Sequence, residues 1–283
     1  MMKNSNSVVN AMTIDVEDYF QVSAFESHIP RKLWDSMPCR IEFSMNRILK
    51  LLDEKNIKAT FFTLGWIAER YPQLVRYIVE NGHELASHGC WHRRVTELSR
   101  QEFAEDVIRS KALLEDISGH EVLGYRAPSF SINHQNLWAL DCLAEAGYRY
   151  SSSIYPVQHD HYGMPDAPRF AHYTRGESGV LEIPATTVNV FGRNLPAAGG
   201  GYFRFWPYAL SKWFIGRLNR SESQAAIFYF HPWEIDVDQP RQSGISLKTR
   251  FRHYLNLHRM EERLRSLTSD FNWGRVDKIF LTD

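Results

Sequence analysis

Cysteine is scarce in this chain. Its 283 residues hold three, Cys39, Cys90 and Cys142, far apart and without a CxxC pair. An odd and scattered set excludes a disulfide framework and a thiolate zinc site. An excess of either charge is missing too: 33 Lys+Arg face 33 Asp+Glu, and the pI is near 7.2. That balance leaves no overall electrostatic footprint for nucleic acid or an acidic membrane, and no nucleic-acid partner is expected. No apolar run approaches the ~20 residues of a membrane-crossing helix, so no transmembrane segment is expected. Residues 1–9 are polar and rich in Asn and Ser, without the apolar core of a secretory signal. The expectation is therefore a cytoplasmic protein. Repeats, low-complexity tracts and linkers are also lacking.

What is present is ordinary globular material, 43% hydrophobic and 23% charged, which excludes intrinsic disorder. Aromatics reach 13%, with 8 Trp and 13 Tyr, more than a core alone needs and in keeping with a cleft for flat ligands such as sugars. The length suits one domain.

Short apolar runs alternate with amphipathic stretches. Residues 11–15 form a strand candidate ending in acids. A helical stretch, 40–54, precedes the β-branched and aromatic run 58–64 (KATFFTL). A second helix over 67–80 reaches Gly82, and 83–87 is a short strand. Ser99 and Glu102 have capping-box spacing and open a helix that Gly119 ends. A strand over 121–126, a helix from Asn133 to Gly147 and a strand over 148–154 follow. Later come strands over 180–183 and 225–230, a helix over 247–267 and an apolar run at 278–281. Strand then helix, four times over, is the signature of a parallel sheet with crossover helices. Seven or eight strand candidates favour a barrel over an open sheet with edges to cover. The expected fold is α/β, a distorted (β/α) barrel of seven or eight parallel strands in a single domain. Residues 1–240 form the barrel and 241–283 a helical extension packed on it.

Four polar clusters follow strand candidates, and in a parallel barrel those positions converge on one face. The first, 13–18 (TIDVED), brings together Asp15, Glu17 and Asp18, whose mutual repulsion a cation or a proton must offset; alone it reads as a solvated acidic turn. The second, 87–92 (SHGCWH), places His88 and His92 at i and i+4, on one face of a helical turn and close enough to grip one metal ion. Together with an acid they make a site with open positions. The third, 125–130 (YRAPSF), offers Arg126 to a carboxylate beside the rigid Pro128. The fourth, 228–234 (FYFHPWE), ends a strand in His231, a candidate general acid because imidazole titrates near neutral pH. A fifth segment, 196–206 (PAAGGGYFRFW), has three glycines that let backbone approach a ligand. Tyr202 and Arg204 within it are candidate substrate contacts, with Pro128.

In this order the motifs resemble the polysaccharide deacetylase family, carbohydrate esterase family 4. The likeness runs from about Thr13 to Pro232. DVEDYF, GGGYFR and HPWEID look most like the subgroup encoded with exosortase-linked exopolysaccharide clusters. The resemblance implies removal of N-acetyl groups from an amino sugar in a polysaccharide or its precursor, with a divalent metal, zinc by expectation, and an N-acetylated glycan as partner. It also makes association with a membrane-bound polysaccharide synthesis system an expectation. By the family pattern Asp15 is the general base, His88 and His92 are metal ligands, Arg126 orients Asp15, and His231 is the general acid. The family's usual second aspartate is replaced by Val16, so the third ligand is Glu17 or Asp18. Strand parity favours Glu17; a strand ending at Val16 would let Asp18 reach instead. An acid expected after Tyr150 is replaced by Ser151, Ser152 and Ser153, which leaves His231 without an assigned partner, Asp160 being one candidate. Two other readings fit the same residues, an amidase or ring-opening hydrolase of small cyclic amides and a decayed carbohydrate-binding protein.

Overall fold

Seven of the eight residues of strand β1 (Val9–Val16) are buried, with no in-and-out alternation. A strand buried on both faces needs neighbours on both edges and layers on both sides, the environment of an interior strand in a parallel sheet. In the computed structural model, which describes residues 8–159, 162–177 and 179–281 and gives 175–177 as backbone only, β1 has that position. The strands β2 (Thr60–Thr63), β3 (Glu84–Ser87), β4 (Gly124–Tyr125), β5 (Tyr150–Ser151), β6 (His172–Glu177) and β7 (Leu181–Glu182) follow in sequence. After them come β8 (Thr187–Val190), β9 (Arg193–Pro196), β10 (Ile227–Phe230) and β11 (Asn272–Gly274). The sheet order is β10-β1-β2-β3-β4-β5-β7-β6, with β11 also on β1. Every pair is parallel except β6 with β7. The strands β8 and β9 form a separate hairpin.

Among the described residues, ten α-helices cover the sheet and its ends. They are α1 (Ile41–Glu54), α2 (Gly65–Arg70), α3 (Pro72–Glu80), α4 (Arg100–Ser118), α5 (Trp138–Glu145), α6 (Gly200–Phe205), α7 (Tyr208–Arg217), α8 (Leu247–Tyr254), α9 (Leu257–Asp270) and α10 (Val276–Phe280). The capping box at Ser99 and Glu102 is formed and Gly119 closes α4 at φ 69°. Met12, Ile14 and Val16 of β1 join Ile48, Leu52, Phe61, Phe230 and Leu264 in the main core.

The sheet curls as a half-barrel, and among the described residues no backbone ladder joins β7 to β10. A side chain spans that gap instead: Thr186 Oγ1 accepts from Ile227 N at 2.6 Å. The strands β4, β5 and β7 are only two residues long, with single backbone bonds continuing past them at Arg126, Ser152 and Ile183. Several elements differ from the sequence reading. The expected helix at 67–80 divides before Pro72, and the one at 247–267 divides at Asn256, held at φ 52°. The run at 278–281 is mostly the helix α10, and the extension beyond 240 contributes β11 to the sheet.

Gly124 lies against the ring of the buried Tyr150, whose hydroxyl donates to Glu84 Oε1 at 2.8 Å. A Cβ at position 124 would sit 2.0 Å from Tyr150 Cζ. Gly124→Ala should lower stability by about 1–3 kcal/mol through overpacking, read by chemical denaturation; a wild-type midpoint would contradict this packing.

Candidate active site

The C-terminal ends of β1, β3, β4, β5 and β10 deliver Asp15, His88, Arg126, Ser152 and His231 to one end of the sheet, where side chains from several strands of a parallel barrel meet. Arg126 is fully buried. Its Nη1 donates to Asp15 Oδ1 at 2.6 Å and to Thr13 Oγ1 at 2.9 Å. Nε and Nη2 donate to Ser152 O at 3.2 Å and Ser152 Oγ at 3.0 Å. The guanidinium also lies 4.0 Å from the Phe62 ring centroid. A buried charge persists only when paired and hydrogen-bonded, and here each nitrogen has a partner. The Ser151–Ser153 run that stands where an acid was expected thus has a use: Ser152 holds the arginine, and Ser153 Oγ accepts from Ala127 N at 2.9 Å.

Past Val16 the chain folds on itself, with Glu17 N donating to Asp15 O at 2.9 Å. This tight turn keeps Glu17 on the side of Asp15 although the strand has ended. Asp18 is carried the other way: its carboxylate accepts from Tyr19 N, Cys39 Sγ and Arg40 N. Burial raises the Asp18 carboxyl above its ordinary range against those donors. The ligand alternatives therefore separate, with Glu17 in the histidine cluster and Asp18 outside it.

His88 and His92 do meet, but not on a helical turn. Gly89 at φ 74° and His92 at φ 50° bend the 88–94 loop back, bringing the two rings to 5.3 Å between centroids. Cys90 between them is buried away from the cluster, its Sγ 3.6 Å from Asp106 O. His88 Nδ1 donates to Arg126 O at 2.8 Å, which fixes the tautomer and turns the Nε2 lone pair to the site. Burial lowers His88 to about 4, so the ring is neutral at ordinary pH, as a ligand must be. Glu17 Oε2 is 2.8 Å from His92 Nε2, yet it is buried without a well-directed hydrogen bond. Burial alone would raise Glu17, but His92 and His231, with a smaller contribution from His88, bring it down to about 2. One donor atom each from Glu17, His88 and His92 lies within 4.8 Å of the others. An acceptor-only carboxylate oxygen lacking a donor beside two imidazoles is a donor set that suits a divalent ion of zinc type.

His231 stands opposite, with Nε2 3.8 Å from Asp15 Oδ2 and 3.6 Å from Glu17 Oε1. Its Nδ1 makes a 2.8 Å hydrogen bond to Glu234 Oε1. Glu234 is the partner the sequence reading left unassigned; the His-x-x-Glu spacing of a capping box was the available signal, and the box is formed. Asp160 lies outside the described residues. Burial opposes charge on His231, but Glu17, the bond to Glu234, and the charges of Glu234 and Asp15 raise it to about 9.

Arg204, expected as a substrate contact, is buried behind His231 and Glu234. It is 1% exposed, donates to Glu234 Oε2 at 2.7 Å, and spends its other nitrogens on the carbonyls of Arg252, His253 and Leu255. The glycines before it also serve packing. A Cβ on Gly200 would lie 2.0 Å from Glu234 Oε1, and one on Gly199 2.6 Å from the Tyr229 ring. What the Gly-rich backbone approaches closely is the carboxylate behind His231. Tyr202 is half-buried near Tyr155 and Tyr229, and Pro128 is buried at the head of the turn after Arg126. Non-glycine residues at positive φ, Ser129 at 58° and Phe130 at 49°, follow it, and Ser129 is bonded to Ser23 Oγ. Such strain concentrates at functional sites.

The architecture is that of solved polysaccharide deacetylases. A candidate polysaccharide deacetylase of Mycobacterium smegmatis superposes with a TM-score of 0.64 at 20% identity, over 99% of this chain and 91% of that one. The peptidoglycan deacetylase PdaC of Bacillus subtilis gives 0.51 at 16%, over 98% and 92%. In sequence, residues 33–151 match the polysaccharide deacetylase family and residues 152–281 a domain of unknown function, DUF3473. A 112-residue stretch is 32% identical to the peptidoglycan deacetylase-like protein FGM2 of Gibberella zeae, covering 39% of this chain and 32% of that protein. A 96-residue stretch is 31% identical to a peptidoglycan-N-acetylglucosamine deacetylase of Bacillus cereus, covering 34% and 35%. The matched region spans about a third of the length of these relatives. Residues 33–151 are therefore similar to polysaccharide deacetylases in sequence, and the whole chain is similar to them in fold. Asp15 and Glu17 precede that stretch, and Arg204, His231 and Glu234 come from the part matching DUF3473.

Two measurements test this geometry. Purified wild type should hold about one divalent ion per chain by elemental analysis, Glu17→Ala should lose it, and Asp18→Ala should keep it; the reverse pattern would put the third ligand at Asp18. In metal-free protein the His231 ring should titrate near 9 by NMR and shift down in Glu234→Gln. Because the folded value is raised above the ordinary 6.5, the stability His231 contributes is full below 6.5 and lost as pH rises through about 9.

Proposed function

We propose that this protein is a metal-dependent N-deacetylase acting on an amino sugar within a polysaccharide or its precursor. The observation that carries this reading is the pairing of two carboxylates with different partners: Glu17 in a His88–His92 cluster, Asp15 on Arg126. Glu17, His88 and His92 would hold a divalent ion, which when bound lowers the pKa of water and polarises an amide carbonyl. The Arg126 contact fixes one oxygen of Asp15 and leaves Oδ2 toward His231, so this carboxylate takes the proton from the attacking water. His231, held as imidazolium by Glu234, Glu17 and Asp15, gives a proton to the departing amine nitrogen. A neutral amine leaves readily where an amide anion would not, and the acid is therefore as necessary as the base.

Several features support a glycan substrate. The curated relatives are named as deacetylases of peptidoglycan. Tyr162, half-buried, stacks on the buried Tyr155 in an aromatic cluster with Phe130 and Tyr229, two residues from His231, and a partly exposed ring face there suits a pyranose. Pro128 and Tyr202 border this cluster and are proposed substrate contacts. The likeness of DVEDYF and HPWEID to the exosortase-linked subgroup makes exopolysaccharide the proposed polymer and the cytoplasmic side of its synthesis the proposed place of action.

Zinc-loaded protein should release acetate from N-acetylated oligosaccharides. Asp15→Asn and His231→Ala should each lower kcat by about 10²–10⁴, the usual worth of a positioned base or acid. No acetate from any oligosaccharide in a broad panel, or full activity in Asp15→Asn, would overturn the reading.

A further inference from the structure

The balanced charge of the whole chain hides a local imbalance. Residues 239–260 contain no Asp or Glu and five cations, Arg241, Lys248, Arg250, Arg252 and Arg259, all exposed. The remaining 261 residues hold 28 cations against 33 acids. The helix α8 lies at the centre of this stretch. On a 3.6-residue repeat, Leu247 and Phe251 share one face with Lys248 and Arg250 at its margins, while His253 points the other way and is the buried residue of the helix. Leu247 is 83% exposed and Phe251 56%. Two large apolar side chains held in water between cations form the pattern of an interfacial helix.

The helix is also firmly mounted. Arg204 binds the carbonyls of Arg252, His253 and Leu255, and His28 Nε2 lies 3.1 Å from Gly244 O in the loop before the helix. His253 stacks on Trp233 at 4.2 Å, and its Nε2 donates to Gln239 Oε1 at 2.7 Å. Trp233 stacks in turn on His231 at 5.2 Å. The outward face is thus a rigid surface, separated from the candidate acid by two stacked rings.

We propose that this outward face of α8, with Leu247 and Phe251 at its centre and Arg241, Lys248 and Arg250 around them, docks on the surface of an anionic lipid bilayer. The cations supply attraction to lipid phosphates, and the apolar pair enters the boundary between headgroups and acyl chains. The apolar pair is what favours a bilayer over a soluble polyanion, which would have no use for it. Because the rest of the chain carries more acids than cations, an anionic surface accepts the protein in one orientation and repels the others. Docked in this way, the protein works on chains still attached to membrane lipid. The inference concerns where the protein sits and does not depend on which bond it breaks.

The test is sedimentation of the 283-residue chain with phosphatidylcholine vesicles, alone or with about one-third phosphatidylglycerol, at low and high salt. Wild type should pellet with the anionic vesicles only and be released by salt. Leu247→Ser/Phe251→Ser and Lys248→Glu/Arg250→Glu should each weaken partition by about tenfold or more, with unchanged thermal midpoints. If a double variant melts early, Arg250→Glu alone carries the comparison. Equal pelleting with both vesicle types, no pelleting at all, or variants that bind like wild type would overturn the proposal. So would wild type binding soluble heparin as tightly as vesicles with no loss in Leu247→Ser/Phe251→Ser, which would assign the face to a polyanion.

Discussion

A guanidinium with no access to water sets the terms for the rest of this structure. Arg126 has to be satisfied inside the sheet, and each residue that satisfies it is thereby fixed. Asp15 is held by one oxygen, Thr13 and Ser152 are drawn to the same centre, and the Arg126 carbonyl orients His88. One buried charge therefore ties β1, β3, β4 and β5 together at their C-terminal ends. It also separates the roles of the two acids. Asp15 is neutralised by a fixed cation, whereas Glu17, just past the end of the strand, meets imidazoles and the indole of Trp233 but no fixed cation, and has an oxygen to spare for a ligand.

A second set of contacts mirrors the first on the opposite wall. Arg204, buried like Arg126, holds Glu234, and Glu234 holds His231. Gly200 is the concession that lets the carboxylate lie against the start of α6, since any side chain there would occupy its place. The segment matching a domain of unknown function supplies all of these residues. Its boundary with the deacetylase match, between 151 and 152, runs through the serine run that grips Arg126, so the two matched segments share one centre.

Much of this was legible in the sequence because motif residues at strand ends have few places to go. The alternation of apolar runs and helices gave the parallel sheet, and the capping box at Ser99 gave the start of α4. Asp15, His88, His92, Arg126 and His231 were named from their clusters. Less visible were features set by tertiary partners. The i,i+4 spacing of the histidines reads as helix, but Gly89 and a left-handed His92 build a loop. Strand parity pointed to Glu17 for a reason that does not apply, since the strand stops at Val16 and a backbone turn does the work. Arg204 looked like a ligand contact because nothing in GGGYFR tells a buried arginine from an exposed one. The β8–β9 hairpin and α6–α7 were missed where apolar periodicity is weak.

The position of β1 in the sheet has a consequence for how the molecule comes into being. Its neighbours are strands at 60–63, 227–230 and 272–274, so the first strand made waits for nearly the last. Glu17 and the Trp233 that touches it are 216 residues apart. On a ribosome, a chain elongating at ~5–20 residues per second spends upwards of ten seconds with the eight-residue strand β1 lacking its final partners. Nonlocal pairing of this kind is slow, and it leaves the edges of β1 open to wrong partners until synthesis has passed residue 274.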